Sequence, residues 1–235
     1  MSRLSSGPAV QDLLLLDCYL DEPGATRNFL PALRGLRVHS RRVLHEPVPE
    51  QLDEFDAVLI SGSAASVTAP PPWLDDLEAL VRRCAAQHKP LLGVCFGHQV
   101  IASALFGRSV VETREEIEIG WLDIEVCSDD PLFDGLGKGF RTFVSHYDQV
   151  REDQLGPVWT ARSAGCPVQG LRIPDSPIWG VQFHCEMSVE EASRLIRERT
   201  DPVRDHGRLL AEAKDSGQIL QRLLDNFCAA AGGAS

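Results

Sequence analysis

The stretch from Lys89 to Ile101 reads Lys-Pro-Leu-Leu-Gly-Val-Cys-Phe-Gly-His-Gln-Val-Ile. The apolar run from Leu91 to Val94 follows a proline and predicts a short buried strand, and the apolar residues from Val100 onward predict a helix. Between them, Gly-x-Cys-x-Gly has the spacing of a nucleophile elbow, with cysteine in the place of serine. The two glycines leave room for a sharp strand-to-helix turn. Because unpaired N–H groups at a helix N-terminus favour the thiolate, Cys95 is predicted to be a nucleophile.

A second stretch supplies the groups that such a nucleophile needs. From Trp179 to Glu186 the chain reads Trp-Gly-Val-Gln-Phe-His-Cys-Glu, a predicted strand that ends in His-x-Glu. A cysteine nucleophile needs a base, and that base needs an acceptor that fixes its tautomer. Side chains two positions apart on a strand share a face, so His184 and Glu186 are predicted to lie side by side. Alone, His184 would be interpreted as a buried structural histidine; the Glu and Cys95 favour a catalytic role.

The two motifs together resemble those of the class I, or triad, glutamine amidotransferases, G-x-C-x-G-x-Q and a distant Q-F-H-P-E. The resemblance implies that Cys95 attacks the γ-carbonyl of a glutamine-like amide, His184 moves protons, and Glu186 orients His184. It also implies an α/β fold with a mostly parallel central sheet flanked by helices, which the alternation of short apolar strands with helices independently predicts. One departure is Cys185, which stands where the family has proline and removes a restraint on the backbone.

The resemblance also implies residues that bind the substrate and the oxyanion. A small-residue turn, Ser-Gly-Ser-Ala-Ala at 61–65, stands where the family has a Ser-Gly-Gly-Pro-like turn, and Ser-His-Tyr-Asp at 145–148 resembles the family's S-H-x-D segment. His146 lacks a nearby acidic partner in the His-x-Glu arrangement, so it is expected to be a weaker candidate base than His184. The expected oxyanion or substrate-binding residues are Gly62, Ser63, Ala65, Phe96, Gln99, Ser145, His146 and Tyr147.

The rest of the chain predicts one domain over residues 1–235, with a flexible leader at 1–10 and a helical C-terminal extension at 188–235. Strands are predicted at 13–18, 36–44, 56–60 and 178–183, and helices at 73–88, 188–200 and 216–230. A helix is also predicted within 24–35, where Pro31 opposes a long one. Between 109 and 173, short β-like pieces separated by Asp-Pro, Asp-Gly and Gly-Pro turns predict a small antiparallel β layer at one edge of the sheet.

Composition limits the classes of function. The chain has 235 residues and a formal net charge of −11, which argues against binding to nucleic acid or an anionic membrane. No run is long enough for a membrane span. The seven cysteines form no C-x-x-C pair, which is typical of reduced thiols in the cytoplasm. Neither a zinc-site spacing nor a nucleotide-binding motif is present, so we expect no metal and no cofactor.

The main hypothesis is hydrolysis of the γ-amide of glutamine through a γ-glutamyl thioester, with the ammonia passed to a separate synthetase or ligase partner. Glu-Ile-Gly-Trp at 118–121 resembles a free-standing subgroup of the family that includes γ-glutamyl peptidases. A γ-glutamyl hydrolase that cleaves an amine or peptide conjugate is therefore an alternative, and a catalytically silent binding protein is a third. The sequence does not identify the leaving amine, the ammonia acceptor or the oligomeric state.

Overall fold

The computed structural model describes residues 10–156, 158–200 and 206–232. The leader predicted at 1–10 lies outside the described residues except for Val10, whose side chain is buried. None of the described helices is long and apolar enough to cross a bilayer.

In the described residues, nine strands form a single mixed sheet in the order β2-β1-β3-β4-β9-β8-β7-β5-β6. The strands are β1 (Asp12–Asp17), β2 (Arg37–Arg42), β3 (Ala57–Ile60), β4 (Leu91–Val94), β5 (Val111–Val126), β6 (Gly139–Val150), β7 (Trp159–Arg162), β8 (Gly170–Arg172) and β9 (Ile178–Val181).

Strands β2, β1, β3, β4 and β9 pair in parallel, and the other pairings are antiparallel. Every residue of β3, β4 and β9 is buried, as expected for parallel strands covered on both faces. The α/β fold with a mostly parallel sheet and an antiparallel edge is therefore confirmed. Where short β-like pieces were predicted, residues 111–126 form one long strand, β5, whose register with β6 shifts between Thr113 and Glu118.

Helices cover both faces of the parallel strands. One core joins α2 and α3 to residues such as Leu14 and Ile60, and the other joins α6 to residues such as Leu15 and Leu59. Neighbouring residues of β1 and β3 thus point to opposite cores, as the period of two requires. The helices are α1 (Thr26–Phe29), α2 (Leu74–Ala86), α3 (Phe96–Phe106), α4 (Val189–Arg199), α5 (His206–Ala211) and α6 (Gly217–Gly232).

A third, smaller cluster positions α4. Its buried residues Ala192 and Ile196 pack against Trp121 of β5 and Phe143 of β6, together with Leu209 of α5. The antiparallel edge therefore carries a helix directly beside the C-terminal ends of the parallel strands.

The helix predictions hold with one exception. The helices predicted at 73–88, 188–200 and 216–230 are present, and Ser188 caps α4 in a reciprocal capping box with Glu191. The stretch 24–35 instead forms one α-turn followed by a 3₁₀ turn that contains Pro31. A proline ring clashes with the preceding turn of an α-helix, which explains why α1 ends before it.

Candidate functional site

The nucleophile elbow is formed where β4 turns into α3. Cys95 lies between them with φ 50° and ψ −102°, a left-handed conformation that a residue with a side chain rarely adopts. Gly93 and Gly97 flank Cys95, and neighbouring backbone atoms leave no room for a side chain at either position. A β-carbon on Gly93 would clash with the carbonyl oxygen of Gly97, and one on Gly97 would clash with that of Ile60, because each would come closer than 3.0 Å. The predicted reason for the two glycines is therefore correct.

The imidazole and carboxylate predicted to serve Cys95 lie next to each other. Nδ1 of His184 is 2.6 Å from Oε1 of Glu186, and both side chains are buried. That contact leaves Nε2 of His184 for the thiol. A β-carbon placed on Gly62 would lie 2.9 Å from Cε1 of His184 and 3.5 Å from Cβ of Cys95, so the ring and the thiol meet beside this glycine.

Electrostatics favour a protonated His184. Burial opposes a charge on the ring, but the negative charges of Glu186 and Cys95 and the hydrogen bonds to both raise the pKa of His184 to about 10. An imidazolium between a carboxylate and a sulfur is the ion pair that a cysteine nucleophile uses.

Cys185 replaces proline without separating the pair. Its buried thiol accepts a hydrogen bond from Oγ1 of Thr142 at 3.5 Å, and Thr142 also donates to the carbonyl oxygen of His184 at 3.0 Å. The backbone N–H of His184 donates a hydrogen bond to the carbonyl oxygen of Phe143 at 2.7 Å. Burial and the nearby Glu186 raise the pKa of Cys185 well above its usual range, so its thiol stays neutral. Contacts with β6 therefore fix the strand end that proline would stiffen.

The turn after β3 contacts the site through its first residues. Gly62 lies against His184 and Cys95, and Ser63 and Ala64 line the cavity above them. The N–H of Ala65 donates to Oγ of Ser63 at 3.0 Å, so this amide is already engaged. The expectation that Ala65 binds the oxyanion or the substrate stays a prediction. The N–H of Phe96, the first residue of α3, has no partner within the helix, as at any helix N-terminus.

Gln99 is connected to the thiol of Cys95 through Gln182. Its side-chain nitrogen donates to the carbonyl oxygen of Asp148 at 2.8 Å and to Oε1 of Gln182 at 3.1 Å. Gln182 in turn donates to Sγ of Cys95 at 3.5 Å. The N–H groups of Gln99 thus hold the residue that contacts the sulfur, which is a positioning arrangement; direct contact with substrate stays a prediction.

The 145–148 segment of β6 divides into three environments. Ser145 lines the cavity, and Tyr147 is 45% exposed. The prediction that His146 lacks an acidic partner is wrong, because its Nε2 lies 2.8 Å from Oε2 of Glu118. This pair could not be predicted from the sequence, because Glu118 lies in β5 and faces His146 of β6 only through a strand pairing whose register shifts just before Glu118.

His146, Glu118 and Cys166 form a second buried set of Cys, His and Glu side chains that could in principle hold a metal ion. The Glu118 carboxylate already accepts hydrogen bonds from Ser163 at 2.7 Å and Gln169 at 3.0 Å. Burial and Glu118 raise the pKa of Cys166 to about 12, which disfavours the thiolate that binds metals. The contacts therefore indicate a structural hydrogen-bond network.

An open cavity of about 800 Å³ lies above the site. Its walls come from the loop after β1, the turn after β3, β6 and α4, and its residues include Tyr19, Ser63, Ala64, Ser145, His184 and Arg199. Cys95 lies below this cavity and is 4% exposed. A substrate amide that enters the cavity must therefore pass beside His184 to reach the sulfur.

The sequence did not assign a role to three polar residues of the site, although Tyr19 follows the first predicted strand, at the end where ligands usually approach such sheets. Gln182 lies inside the Q-F-H motif, so its position was available from the sequence. The Tyr19 hydroxyl is buried with no hydrogen-bond partner in the described residues, and burial with Glu186 and Cys95 nearby raises its pKa, which keeps it a neutral donor. Arg199 lies at the end of α4, and nothing local in the sequence indicates that it reaches the cavity.

Comparisons with known proteins agree with this arrangement. The profile of the family described as Glutamine amidotransferase class-I matches residues 14–200. One relative, a subunit of the glutamine-hydrolysing GMP synthase of Pyrococcus abyssi, is 38% identical over 166 residues, which is 70% of this chain and 86% of that relative.

Two further relatives extend the comparison. The glutamine-hydrolysing GMP synthase of Limosilactobacillus reuteri is 32% identical over 162 residues, 68% of this chain but 30% of that longer protein. The crystal structure of a glutamine amidotransferase from Thermotoga maritima has a TM-score of 0.73 at 21% identity, and the match covers 92% of this chain and 96% of that one. The latter likeness is one of fold.

Proposed function

This chain belongs to the class-I glutamine amidotransferase family, and on that premise we propose that it hydrolyses the γ-amide of glutamine. The observation that carries the proposal is the meeting of Cys95, His184 and Glu186 beside Gly62. A sulfur, an imidazole and a carboxylate in that order are the parts of a nucleophile–base–orienter triad.

In the proposed reaction, the sulfur of Cys95 attacks the γ-carbonyl carbon of glutamine to give a tetrahedral oxyanion. His184 gives its proton to the departing nitrogen, so ammonia leaves and a γ-glutamyl thioester remains. A water molecule then attacks the thioester carbon while His184 accepts its proton, and glutamate leaves as the sulfur is released. Glu186 holds the ring with Nε2 toward the sulfur and offsets its charge throughout.

Oxyanion stabilisation is assigned to backbone N–H groups. The Phe96 amide follows Cys95 directly at the start of α3, and the turn that begins at Gly62 lies against the β-carbon of Cys95. Each donor of this kind contributes about 3 kcal/mol of transition-state stabilisation.

The ammonia is proposed to pass to a separate synthetase. This proposal is supported by the similarity to one subunit of the Pyrococcus abyssi glutamine-hydrolysing GMP synthase, and by the match to only part of the longer Limosilactobacillus reuteri protein. A cytoplasmic location is proposed with it, since all seven cysteines are free and the chemistry needs a reduced thiol.

A free-standing γ-glutamyl hydrolase is the second candidate. The cavity is open to solvent and extends from His184 to the loop after β1, where Leu20 and Gly24 line it. It has room for a leaving amine larger than ammonia.

One assay tests the main proposal and separates the two candidates. Glutamate release is measured from L-glutamine, γ-glutamyl methylamide and γ-glutamylglycine, and labelling of Cys95 by an electrophilic glutamine analogue is measured in parallel. Labelling with slow turnover of all three supports the amidotransferase that awaits its partner. Rapid cleavage of the two conjugates supports the hydrolase instead. An absence of both labelling and turnover overturns the proposal.

The variant Cys95→Ala provides the residue-level test. It removes the nucleophile, so we expect loss of glutamate release to background with an unchanged thermal midpoint. Cys127→Ala is the matched control, because Cys127 is an exposed thiol far along the chain in the antiparallel edge. Turnover retained in Cys95→Ala would contradict the assignment.

A further inference from the structure

Arg199, the last residue of α4, reaches the cavity above the triad. Its Nη1 donates to Oγ of Ser145 at 3.3 Å, and both residues line the cavity together with His184. Ser145 is buried, and Arg199 is half-buried. The guanidinium is therefore partly withdrawn from water at the wall of the site, where an ionic contact is stronger than at an open surface.

The helix that carries this guanidinium is held in place by packing. Ile196, one turn before Arg199, is fully buried against Trp121 and Phe143. Oγ1 of Thr200 donates to the carbonyl oxygen of Ile196 at 2.7 Å and closes the helix end. Arg199 thus projects from a helix that is held on β5 and β6.

The other cations of the cavity are already paired. Arg27 lies 2.5 Å from Glu191, and Arg194 lies 3.1 Å from Glu198. Among the described residues, Arg199 has no carboxylate within 4.0 Å, the limit for an ion pair, although it lines a cavity with several acidic residues. An Arg fork without an anion is suited to a ligand carboxylate, which it binds through two parallel hydrogen bonds.

The spacing along β6 fits a glutamyl group. Phe143 pairs with His184, and Ser145 lies two residues farther along the same strand, about 7 Å away at the usual rise per residue. In an extended glutamine, a few carbon–carbon bonds separate the γ-carbonyl carbon from the α-carboxylate carbon, a span of about 5 Å. A γ-carbonyl beside His184 therefore places the α-carboxylate near Ser145 and its partner Arg199.

We propose that Arg199 binds the α-carboxylate of the glutamyl substrate and so makes the site specific for a γ-glutamyl group with a free α-carboxylate. This inference rests on the proposed function. The same guanidinium would also suit a carboxylate on a leaving amino acid, so the test compares the two positions.

The test uses Arg199→Gln, with Arg197→Gln as the matched control. Both arginines lie in the last turn of α4 and complement its dipole, but Arg197 does not line this cavity. Steady-state hydrolysis is measured with L-glutamine, with glutaramate, which lacks the α-amine, and with 4-aminobutanamide, which lacks the α-carboxylate.

For Arg199→Gln we expect KM for glutamine and glutaramate to rise about 30-fold, since a charged hydrogen-bonded contact is lost. The kcat for both substrates should stay within about threefold, because the contact is made equally before and in the transition state. With 4-aminobutanamide, Arg199→Gln and wild type should give the same kcat/KM. Arg197→Gln should resemble wild type with every substrate.

Unchanged KM for glutamine in Arg199→Gln overturns the inference, as does an equal loss with 4-aminobutanamide. If Arg199→Gln lowers kcat/KM for γ-glutamylglycine but not for γ-glutamyl methylamide, the guanidinium binds the carboxylate of the leaving amino acid. That result also overturns the inference. If wild type releases no glutamate, the proposed function fails by itself. The inference is then decided by calorimetry, which measures the binding of glutamine to Cys95→Ser and to the double variant that also carries Arg199→Gln. A Kd about 30-fold weaker in the double variant supports the inference. Equal Kd values, or no binding, overturn it.

Discussion

At the scale of single residues, the site concentrates strain and charge around one sulfur. Cys95 is one of three non-glycine residues with positive φ in the described residues, and such a conformation costs about 1–3 kcal/mol. The cost is offset by the strands β3 and β9 on either side of β4, which hold the turn in place. The strained residue is also the residue to which Gln182 donates and beside which His184 lies.

The pKa of His184 leads to a prediction about pH. The folded protein holds the proton of His184 up to about pH 10, whereas an unfolded histidine loses it near its usual 6.5. Proton binding therefore stabilises the fold fully below the unfolded value, and this contribution is lost as the pH rises toward 10. In Glu186→Gln the pKa of His184 should fall, so the difference in unfolding free energy from wild type should narrow between about pH 6.5 and 10.

Chemical denaturation at several pH values measures this difference. Glu116→Gln is the control, since Glu116 is exposed on β5 and should show no pH-dependent difference. The kcat/KM of Glu186→Gln should also fall by about 100-fold or more, as expected when the base loses its orienting partner. A stability difference that stays constant over this range would refute the charged pair.

Gln182 leads to a second prediction at this scale. Its side chain donates to Cys95 and accepts from Gln99, so Gln182→Leu removes the donor while preserving the approximate volume. Because a hydrogen bond of this kind contributes about 1 kcal/mol and holds the sulfur in place, alkylation of Cys95 by iodoacetamide should slow by about fivefold. Gln154→Leu, at an exposed residue, should alkylate at the wild-type rate. Equal rates in both variants would remove Gln182 from the positioning role.

At the scale of elements, the elbow depends on the close approach of α3 to β3. The carbonyl group of Ile60 lies where a side chain on Gly97 would have to be. Backbone atoms of a buried strand cannot move aside as the end of a flexible side chain can. The packing of the strand against the helix therefore admits no side chain at this position.

Gly97→Ala should accordingly destabilise the fold by about 3 kcal/mol, the scale of overpacking in a core. Gly207→Ala is the matched control, because Gly207 lies in α5 with no heavy atom within 4 Å of an added β-carbon. That control should be neutral or stabilise by up to about 1 kcal/mol, since alanine favours helix. Urea unfolding curves compare the two, and a Gly97→Ala curve that overlays wild type would contradict the steric argument.

At the scale of the whole molecule, one sheet connects every part of the site. The elbow strand β4 pairs with β9, which leads to His184, and β9 pairs with β8 at the start of the antiparallel edge. The far edge strand β6 returns to the centre through the pairing of Phe143 with His184. The antiparallel edge is thus part of the candidate site as well as an extension of the sheet.

This connectivity predicts that residues 1–235 unfold as a single domain. Calorimetry should show one transition whose van't Hoff and calorimetric enthalpies agree, with fluorescence and circular dichroism giving the same midpoint. Trp121 reports on the antiparallel edge and Trp179 on the parallel strands. Variants that keep only one of these two, with Trp73 and Trp159 also changed to Phe, separate the two signals. Two transitions, or different midpoints for the two tryptophans, would show that the edge folds separately.

The sequence by itself determined the elbow, the His-x-Glu pair and the order of the central elements. These features depend on local rules: glycine at a strained turn, a period of two along a strand, and apolar runs that end at turns. Because Cys95, His184 and Glu186 each lie within such a local pattern, their meeting could be predicted before their distances were known.

Only the tertiary structure decided which side chains from distant elements meet. Glu118 reaches His146 across β5 and β6, Gln99 reaches Gln182 from a different element, and Arg199 reaches Ser145 from the end of a helix. Contacts between elements depend on strand register and on how a helix packs, and a shift of one residue in either turns a side chain to another face. No local sequence pattern specifies the register of these strands or the packing of this helix. The meeting of Cys95, His184 and Glu186 was therefore predictable from the sequence, and the residues around them were not.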